Sequence, residues 1–461
     1  MRSPFRFSLA GAIAILLASN FVHADAAAPT NAAASAAPTK PQWVVKPDHG
    51  NGIYHPDEKV TWSVDITGDR AGLNAVSYDV TKDGQVVVDK ATVDVSTGPA
   101  TVSASRADPG VLVLRIYPPG KTNGQAIAFG GAVISPDKID LHTPIPDDFD
   151  AFWRGKLKEL AAVPMNPRVE KFDVSSLKFS DKIDFYKVTL DNINGTHVYG
   201  QLSRPKTGDK FPAMLMVQSA GVYPLDPNQV IANSKLGWLV LNISAHDEPI
   251  YGTPDFFNNL KATTLKDYVF LGAEDRDTSY FLRMFLGCAR TVDYLTSRPD
   301  WNGKVLLVTG GSQGGFQSFA TAALCPQVTA VSADVPAGCD MTGPLAIPPR
   351  AFGWPYWISN WGPKGRDLKK TAVTAGYYDG INMASRIHCP TLVAVGLIDD
   401  TARPTGVIAA FNAIKGPKKL LILPLSDHHG NNNAQFDYYQ TYATWRADLQ
   451  RGTPLPINDS K

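Results

Sequence analysis

The chain has little cysteine: Cys288, Cys325, Cys339 and Cys389 are the only four in 461 residues. So few exclude a disulfide-framed scaffold, and their spacing is not that of a zinc site. Three of them stand in apolar surroundings that suit buried thiols, and Cys325 and Cys339 are close enough in sequence to bridge. Net charge is also nearly absent, a formal +1, with no Lys/Arg block longer than a few residues. Nucleic acid and anionic lipid are thereby excluded as main partners, because phosphate contacts need a concentrated basic patch. No apolar run approaches the roughly 20 residues that cross a bilayer, so no membrane anchor is expected. No Lys follows the glycines at 310–315, which excludes a phosphate loop. Neither a metal nor a cofactor is expected.

The beginning of the chain is positively informative. Arg2 and Arg6 precede a short apolar run, Phe7 to Ala18, and then Ala24-Asp25-Ala26. That is an export signal over residues 1–26, and it predicts a periplasmic or secreted protein. Residues 27–42, rich in Ala, Pro, Thr and Ser, have too little bulk to pack and read as a flexible linker. The remainder exceeds what one core normally serves, so two domains are expected.

Residues 43–139 carry period-2 segments. In VTWSVDI, Val60, Trp62, Val64 and Ile66 share a face. Further strands are expected at 75–80, 85–90, 91–95 and 111–116, with KDGQ at 82–85 as a hairpin turn. Short strands spaced by Gly, Pro and Asp predict a small β-sandwich (Ig-like) domain. It holds no cluster of reactive side chains and reads as a structural or interdomain module, with carbohydrate binding as the other reading.

Residues 140–461 change period. Asp147 or Asp148 is placed to cap a helix whose apolar face includes Phe149, Phe152, Trp153, Leu157 and Leu160. A hairpin turning at Asn194-Gly195 follows. Apolar strands (213–217, 238–243, 305–309, 328–333, 391–395, 420–423) then alternate with helices (261–268, 280–297, 314–323, 405–414). This predicts a mostly parallel, doubly covered sheet, in which ligands bind beyond the carboxyl ends of the strands.

The segment VLLVTGGSQGGF runs a strand into Gly310-x-Ser312-x-Gly314 and then into an apolar helix. That is the nucleophile-elbow pattern of an α/β hydrolase. Small neighbours let strand and helix approach around a strained serine. Triads on this fold run Ser, acid, His. GLIDDTARP supplies Asp399 and Asp400 after one strand, and LSDHHGNN supplies His428 and His429 after the last. A serine hydroxyl needs a neutral imidazole to take its proton and a carboxylate to fix the tautomer. The oxyanion needs backbone donors. On this fold one is the residue after the nucleophile, Gln313. The second is expected from QSAGVYPL, where Gly221 would let Val222 aim its N–H inward.

Taken with DFDAFW, DRDTSYFLRMFLGCARTVDYLTSRPDWNGK and YYDGINMASRIHCP, these motifs resemble the acetyl xylan esterase / cephalosporin C deacetylase family of α/β hydrolases over about residues 145–435. The resemblance implies a catalytic set of Ser312, Asp399 and His428. It also implies removal of small acyl groups, chiefly acetyl, from xylo-oligosaccharides and related sugars or from cephalosporins. Three departures stand out. Val222 occupies the place of the family's aromatic residue in the oxyanion loop. SAHDEP replaces an Arg-Gly-Gln segment and brings His246 and Asp247 near the pocket, in a structural role or in substrate contact. The β-rich leader is not part of the typical module, and its bulk can block the family's ring-like hexamer, which leaves open whether the chain forms a homo-oligomer. The aromatic run at 348–361 contributes Trp354, Tyr356, Trp357 and Trp361, which either stack on sugar rings or pack a lid.

The expectation is therefore a serine carboxylesterase that deacetylates xylo-oligosaccharides or related carbohydrates through an acyl-serine intermediate. The alternatives are an esterase for a bulkier acyl group or a sugar-acid ester, and a non-catalytic carbohydrate-binding protein on a hydrolase scaffold.

Overall fold

A computed structural model describes residues 42–68 and 74–453, together with Leu455 and Ile457. The export signal and almost all of the linker read from the sequence lie outside these residues. Gln42, assigned by composition to the linker's end, already pairs with Thr67.

Among the described residues the β-rich part has eight strands: β1 (Gln42–Pro47), β2 (Ile53–Tyr54), β3 (Val60–Thr67), β4 (Ala75–Lys82), β5 (Val86–Asp94), β6 (Ala100–Ala104), β7 (Gly110–Ile116) and β8 (Ala128–Ile134). They form a three-stranded sheet, β1-β3-β6, and a five-stranded sheet, β2-β8-β7-β4-β5. Alternate residues Val60, Trp62, Val64 and Ile66 of β3 are buried, with Leu112, Leu114 and Ala132 of the other sheet in the same core. This is the sandwich that period 2 predicts. The turn at 82–85 holds both Asp83 and Gly84 at positive φ, the backbone of a tight hairpin. The two strands expected at 85–90 and 91–95 are one. A register shift between Val80 and Thr81 lets β5 run unbroken along β4.

The larger part opens with α1 (Phe149–Ala161), whose face of Phe149, Phe152, Trp153 and Leu160 is buried. Asp148 precedes it without a capping bond from its side chain. Its carboxylate is taken instead by Arg276 and Tyr377. Nine strands follow: β9 (Arg168–Lys171), β10 (Ile183–Asp191), β11 (His197–Pro205), β12 (Phe211–Val217), β13 (Leu239–Ile243), β14 (Trp301–Gly311), β15 (Ala330–Asp334), β16 (Thr391–Gly396) and β17 (Lys418–Leu423). Their order is β17-β16-β15-β14-β12-β13-β11-β10-β9. Neighbours from β17 to β13 are parallel, and β11, β10 and β9 complete an antiparallel edge.

The remaining helices are α2 (Pro227–Ser234), α3 (Pro254–Ala262), α4 (Tyr280–Ser297), α5 (Gln313–Leu324), α6 (Leu368–Tyr378), α7 (Gly380–Ala384), α8 (Pro404–Ala413) and α9 (Phe436–Arg451). Strand alternation decides which helices each face meets. Leu215, Leu241, Val308 and Val393 pack with α4, α5 and α8. Met214, Val240 and Leu307 pack with Val230 and Ile231 of α2. Leu392 and Ala394 pack with Tyr438 and Trp445 of α9. With both faces covered, this is the α/β-hydrolase architecture. The helix expected at 261–268 is displaced. Thr253 accepts from the Phe256 N–H ahead of Pro254, which starts α3 earlier. Thr263, whose hydroxyl turns back onto the Asn259 carbonyl at 2.6 Å, ends it.

The sandwich packs directly on the loops after β16 and β17. A Cβ added at Gly131 would lie 2.4 Å from Leu397 Cβ, and one at Gly52 would lie 2.9 Å from Pro424. Asn412 of α8 donates to the Pro136 and Ile139 carbonyls, both at 2.8 Å. All four cysteines are free thiols, so Cys325 and Cys339 do not bridge.

Candidate active site

Strand β14 ends in two glycines, and Ser312 follows at φ 57°, ψ −120°. That conformation is strained for a residue with a Cβ. The turn leaves no room for side chains. A Cβ on Gly310 would sit 2.7 Å from the Gly314 carbonyl carbon, and one on Gly314 would sit 2.7 Å from the Val217 oxygen. The Ser312 N–H donates to the Asp334 carbonyl at 2.9 Å, and the Ser312 carbonyl accepts from Phe316 and Ala337.

His428 comes from the loop between β17 and α9, and Asp399 from the loop after β16. His428 Nε2 lies 2.8 Å from Ser312 Oγ, and Nδ1 lies 2.7 Å from Asp399 Oδ2. A carboxylate only accepts, so Nδ1 donates and Nε2 is left to accept from the serine hydroxyl. Asp399 Oδ1 accepts from the Thr401 and Ala402 N–H groups, both at 2.8 Å, which fixes the carboxylate in one rotamer. Burial alone would lower the His428 pKa. The hydrogen bond to Asp399 and the charges of Asp399, Asp334 and Asp400 outweigh it and raise that pKa above the ordinary histidine value. Asp400 is exposed and bonds Thr401. The His429 N–H bonds Asp427, and its ring stands edge-on to His428.

Gln313 begins α5, so its N–H is an unspent donor at a helix N-terminus. Its side chain points into the core, where Oε1 accepts from Tyr268 at 2.5 Å. The loop at 218–225 lies across from it. Gly221 stands at φ +117°, its N–H meets the Tyr268 hydroxyl at 3.3 Å, and Val222, half-buried, packs on the core. Tyr268 thus ties this loop to the elbow. Sequence reading missed it, because a single tyrosine in LKDYVF carries no pattern.

His246 is 2% exposed, with Nε2 2.9 Å from the Gly221 carbonyl and Nδ1 2.7 Å from the Tyr280 hydroxyl. The carbonyl cannot donate, so Nε2 carries a proton. Burial pushes its pKa down to about 4. Of the two roles open to His246, these contacts match the structural one rather than substrate contact: Nε2 holds the Gly221 loop and Nδ1 meets Tyr280 of α4. Asp247 Oδ1 accepts from the His197 N–H at 3.0 Å. Trp354 and Trp357 match packing rather than sugar contact. Trp357 is 1% exposed, donates to the Val269 carbonyl at 2.7 Å and packs on Phe281. Trp354 is buried against Phe281 and Phe316 beneath the elbow helix. Large aromatic faces filled the core before any were left for sugar. Tyr356 stays half-buried between Phe352 and the exposed Trp361.

Asp334 was not anticipated. It ends β15 beside the elbow, buried, with Oδ2 3.2 Å from the Tyr439 hydroxyl and Oδ1 without a partner. Burial pushes its pKa up to about 7. Among the described residues no group of three or more His, Cys, Asp or Glu is placed to hold a metal. No helix among them is long and apolar enough to cross a membrane.

The acetyl xylan esterase (AXE1) family profile matches residues 139–446. Acetyl esterase Axe7A of Xylanibacter ruminicola is 32% identical over 395 residues, covering 84% of this chain and 86% of the relative. The acetyl xylan esterase of Paenibacillus sp. R4 superposes with a TM-score of 0.56 at 24% identity, over 67% of this chain and 98% of its own. Acetyl Xylan Esterase 1 of Thermoanaerobacterium sp. JW/SL YS485 gives 0.57 at 22%, over 68% and 97%. At those identities the two structures speak for the fold alone. The chain belongs to the acetyl xylan esterase family and is a carboxylic ester hydrolase.

Proposed function

We propose that this protein removes acetyl groups from acetylated xylo-oligosaccharides, with Ser312 as nucleophile, His428 as general base and Asp399 as the acid that orients it. The observation that carries the reading is the chain of contacts from Ser312 Oγ through His428 to Asp399, 2.8 and 2.7 Å long, on a strained elbow at a helix N-terminus. His428 Nε2 takes the hydroxyl proton as Ser312 Oγ bonds the acetyl carbon. The N–H groups of Gln313 and Val222 receive the oxyanion. Collapse breaks the ester C–O bond, and His428 returns the proton to the departing sugar hydroxyl. Water then repeats the sequence on the acetyl-serine, releasing acetate and restoring Ser312.

The loop bonds of Tyr268 and His246 support the oxyanion assignment, since they hold the segment from which the second donor comes. The residue pattern at 1–26 supports export to the periplasm or medium, and the two sheet systems support a division near residue 139. Tyr356 and Trp361 are the aromatics left to meet substrate. Replacing Ser312 with Ala should cut acetate release from acetylated xylo-oligosaccharides by about 10⁴-fold or more with thermal unfolding unchanged. Turnover within tenfold of the parent would overturn the assignment.

A further inference from the structure

The sandwich and the loop carrying Asp399 enclose a cleft of about 240 Å³. Val113 and Arg115 of β7, with Gln125 and Phe129 beyond it, form one wall; Asp400 and Arg403 form the other. Ser312 and His428 do not line it, and the Asp399 side chain is withdrawn to face His428. The loop at 398–405 is therefore shared: Asp399 turns its carboxylate to the triad and is also among the residues that line the cleft. Gln125 and Asp400 are exposed, so the cleft opens to solvent.

The polar groups in it are not spent on one another. Arg403 donates through Nε to the Phe352 carbonyl at 3.0 Å. Among the described residues no carboxylate lies within ion-pair distance of it, and its two terminal nitrogens have no hydrogen-bond partner. Arg115 uses Nε and Nη2 on Asp79, at 2.6 and 2.9 Å, which leaves Nη1. Asp400 accepts from Thr401 at one oxygen, at 3.2 Å, which leaves the other. A guanidinium edge and a carboxylate oxygen in one cleft match adjacent hydroxyls, each of which both donates and accepts. Phe129 and Val113 add an apolar surface suited to the C–H face of a sugar ring.

Charge decides which sugar. Arg115 is neutralised by Asp79 and Arg106 by Asp83, 2.9 Å away. Arg403 lies in the field of Asp400 and Asp399. Asp83, Asp399 and Asp400 line the cleft beside Arg115 and Arg403, so cations are not in excess and an acidic sugar gains no electrostatic advantage there.

We propose that this cleft is a second carbohydrate subsite, taking a neutral, hydroxyl-rich ring of the chain whose acetyl group is cleaved at Ser312. The inference rests on the esterase reading for its substrate class. It gives the sandwich a part in binding, at its junction with the catalytic part rather than on its free faces.

The test is calorimetric titration of full-length Ser312→Ala protein with unacetylated xylotetraose, which needs no turnover. Val113→Phe, which fills the cleft, and Arg403→Gln, which removes the guanidinium edge, are added separately, with thermal unfolding as the check on folding. Each should weaken binding at least tenfold; if Val113→Phe does not fold, Arg403→Gln carries the test alone. Unchanged affinity in the folded variants, or no binding by the parent, would overturn the subsite. Tenfold tighter binding of a glucuronic-acid-substituted xylo-oligosaccharide would overturn its assignment to a neutral ring. Persistent acetate release by Ser312→Ala would instead refute the esterase reading of Ser312 and leave the titration intact.

Discussion

Replacing Asp399 with Asn tests how the carboxylate acts. Oδ1 of Asp399 accepts from the Thr401 and Ala402 N–H groups at 2.8 Å each, and these donors cannot be satisfied by an NH₂ group. The asparagine oxygen must therefore stay on that side, which turns its NH₂ toward His428 Nδ1, now 2.7 Å from Oδ2. Nδ1 becomes the acceptor and Nε2 carries the proton. A protonated Nε2 cannot take the Ser312 proton across its 2.8 Å contact. The side-chain volume hardly changes, so the loss falls on chemistry rather than folding. An inverted tautomer on such a triad costs roughly 10⁴-fold in kcat, which is about 5.4 kcal/mol of transition-state stabilisation. The assay is acetate release or hydrolysis of a chromogenic acetyl ester near pH 7.5, with Asp400→Asn as the comparison. On the small chromogenic ester, which does not extend into the sandwich cleft, Asp400→Asn should keep kcat within a fewfold of the parent, because its exposed carboxylate bonds Thr401 and not His428. A tenfold or smaller loss in Asp399→Asn, or an equal loss in both variants, would refute the reasoning.

The other predictions concern the groups around the triad. His246→Phe removes the imidazole bond to the Gly221 carbonyl and should lower kcat about tenfold to hundredfold, with KM nearly unchanged, through a loosened oxyanion loop; unchanged kcat would leave that histidine with packing alone. The acid limb of kcat/KM should lie above the ordinary histidine pKa, because activity needs neutral His428 and the carboxylates around it favour the charged form; a limb below pH 6 would contradict this. Asp334→Asn should move that limb to lower pH, since it removes one of those charges. Asp334 also has a folded pKa of about 7 against an ordinary 3.8, so its contribution to stability is greatest below the ordinary value and is lost as pH rises through the folded one. Denaturant melts of Asp334→Asn should therefore show a gain on the order of 2–4 kcal/mol at pH 8 relative to pH 4; an equal difference at both pH values would count against a buried, ionising carboxyl.

The elements that position the reacting side chains were legible because they combine apolar period with punctuation. TGGSQGG after Val305–Thr309 announces its turn through glycines that a Cβ would break. The sandwich was legible for the same kind of reason, in the alternation of Val60, Trp62, Val64 and Ile66. Helix α9 was not read, although Tyr438, Tyr442, Trp445 and Leu449 follow a helical repeat; its aromatics are interleaved with polar residues and look like loop. The substrate-contact residues were the least legible, because a histidine or tryptophan near a pocket looks the same in sequence whether it faces ligand or core. His246 and Trp357 face inward because Gly221, Tyr280 and Val269 offer them partners from distant segments. The contacts of the sandwich with Leu397 and Pro424 were likewise out of reach, since no local pattern encodes where two domains meet.

The central claim, that Ser312 forms the acyl-enzyme, is tested most directly by treating the full-length protein with an active-site serine phosphonate. Peptide mass mapping then locates the adduct while acetate release from acetylated xylo-oligosaccharides is followed on the same samples. The account predicts one adduct per chain, on Ser312, with activity falling in proportion to labelling. Full labelling of Ser312 with activity retained, or loss of activity with the adduct on another residue, would contradict it.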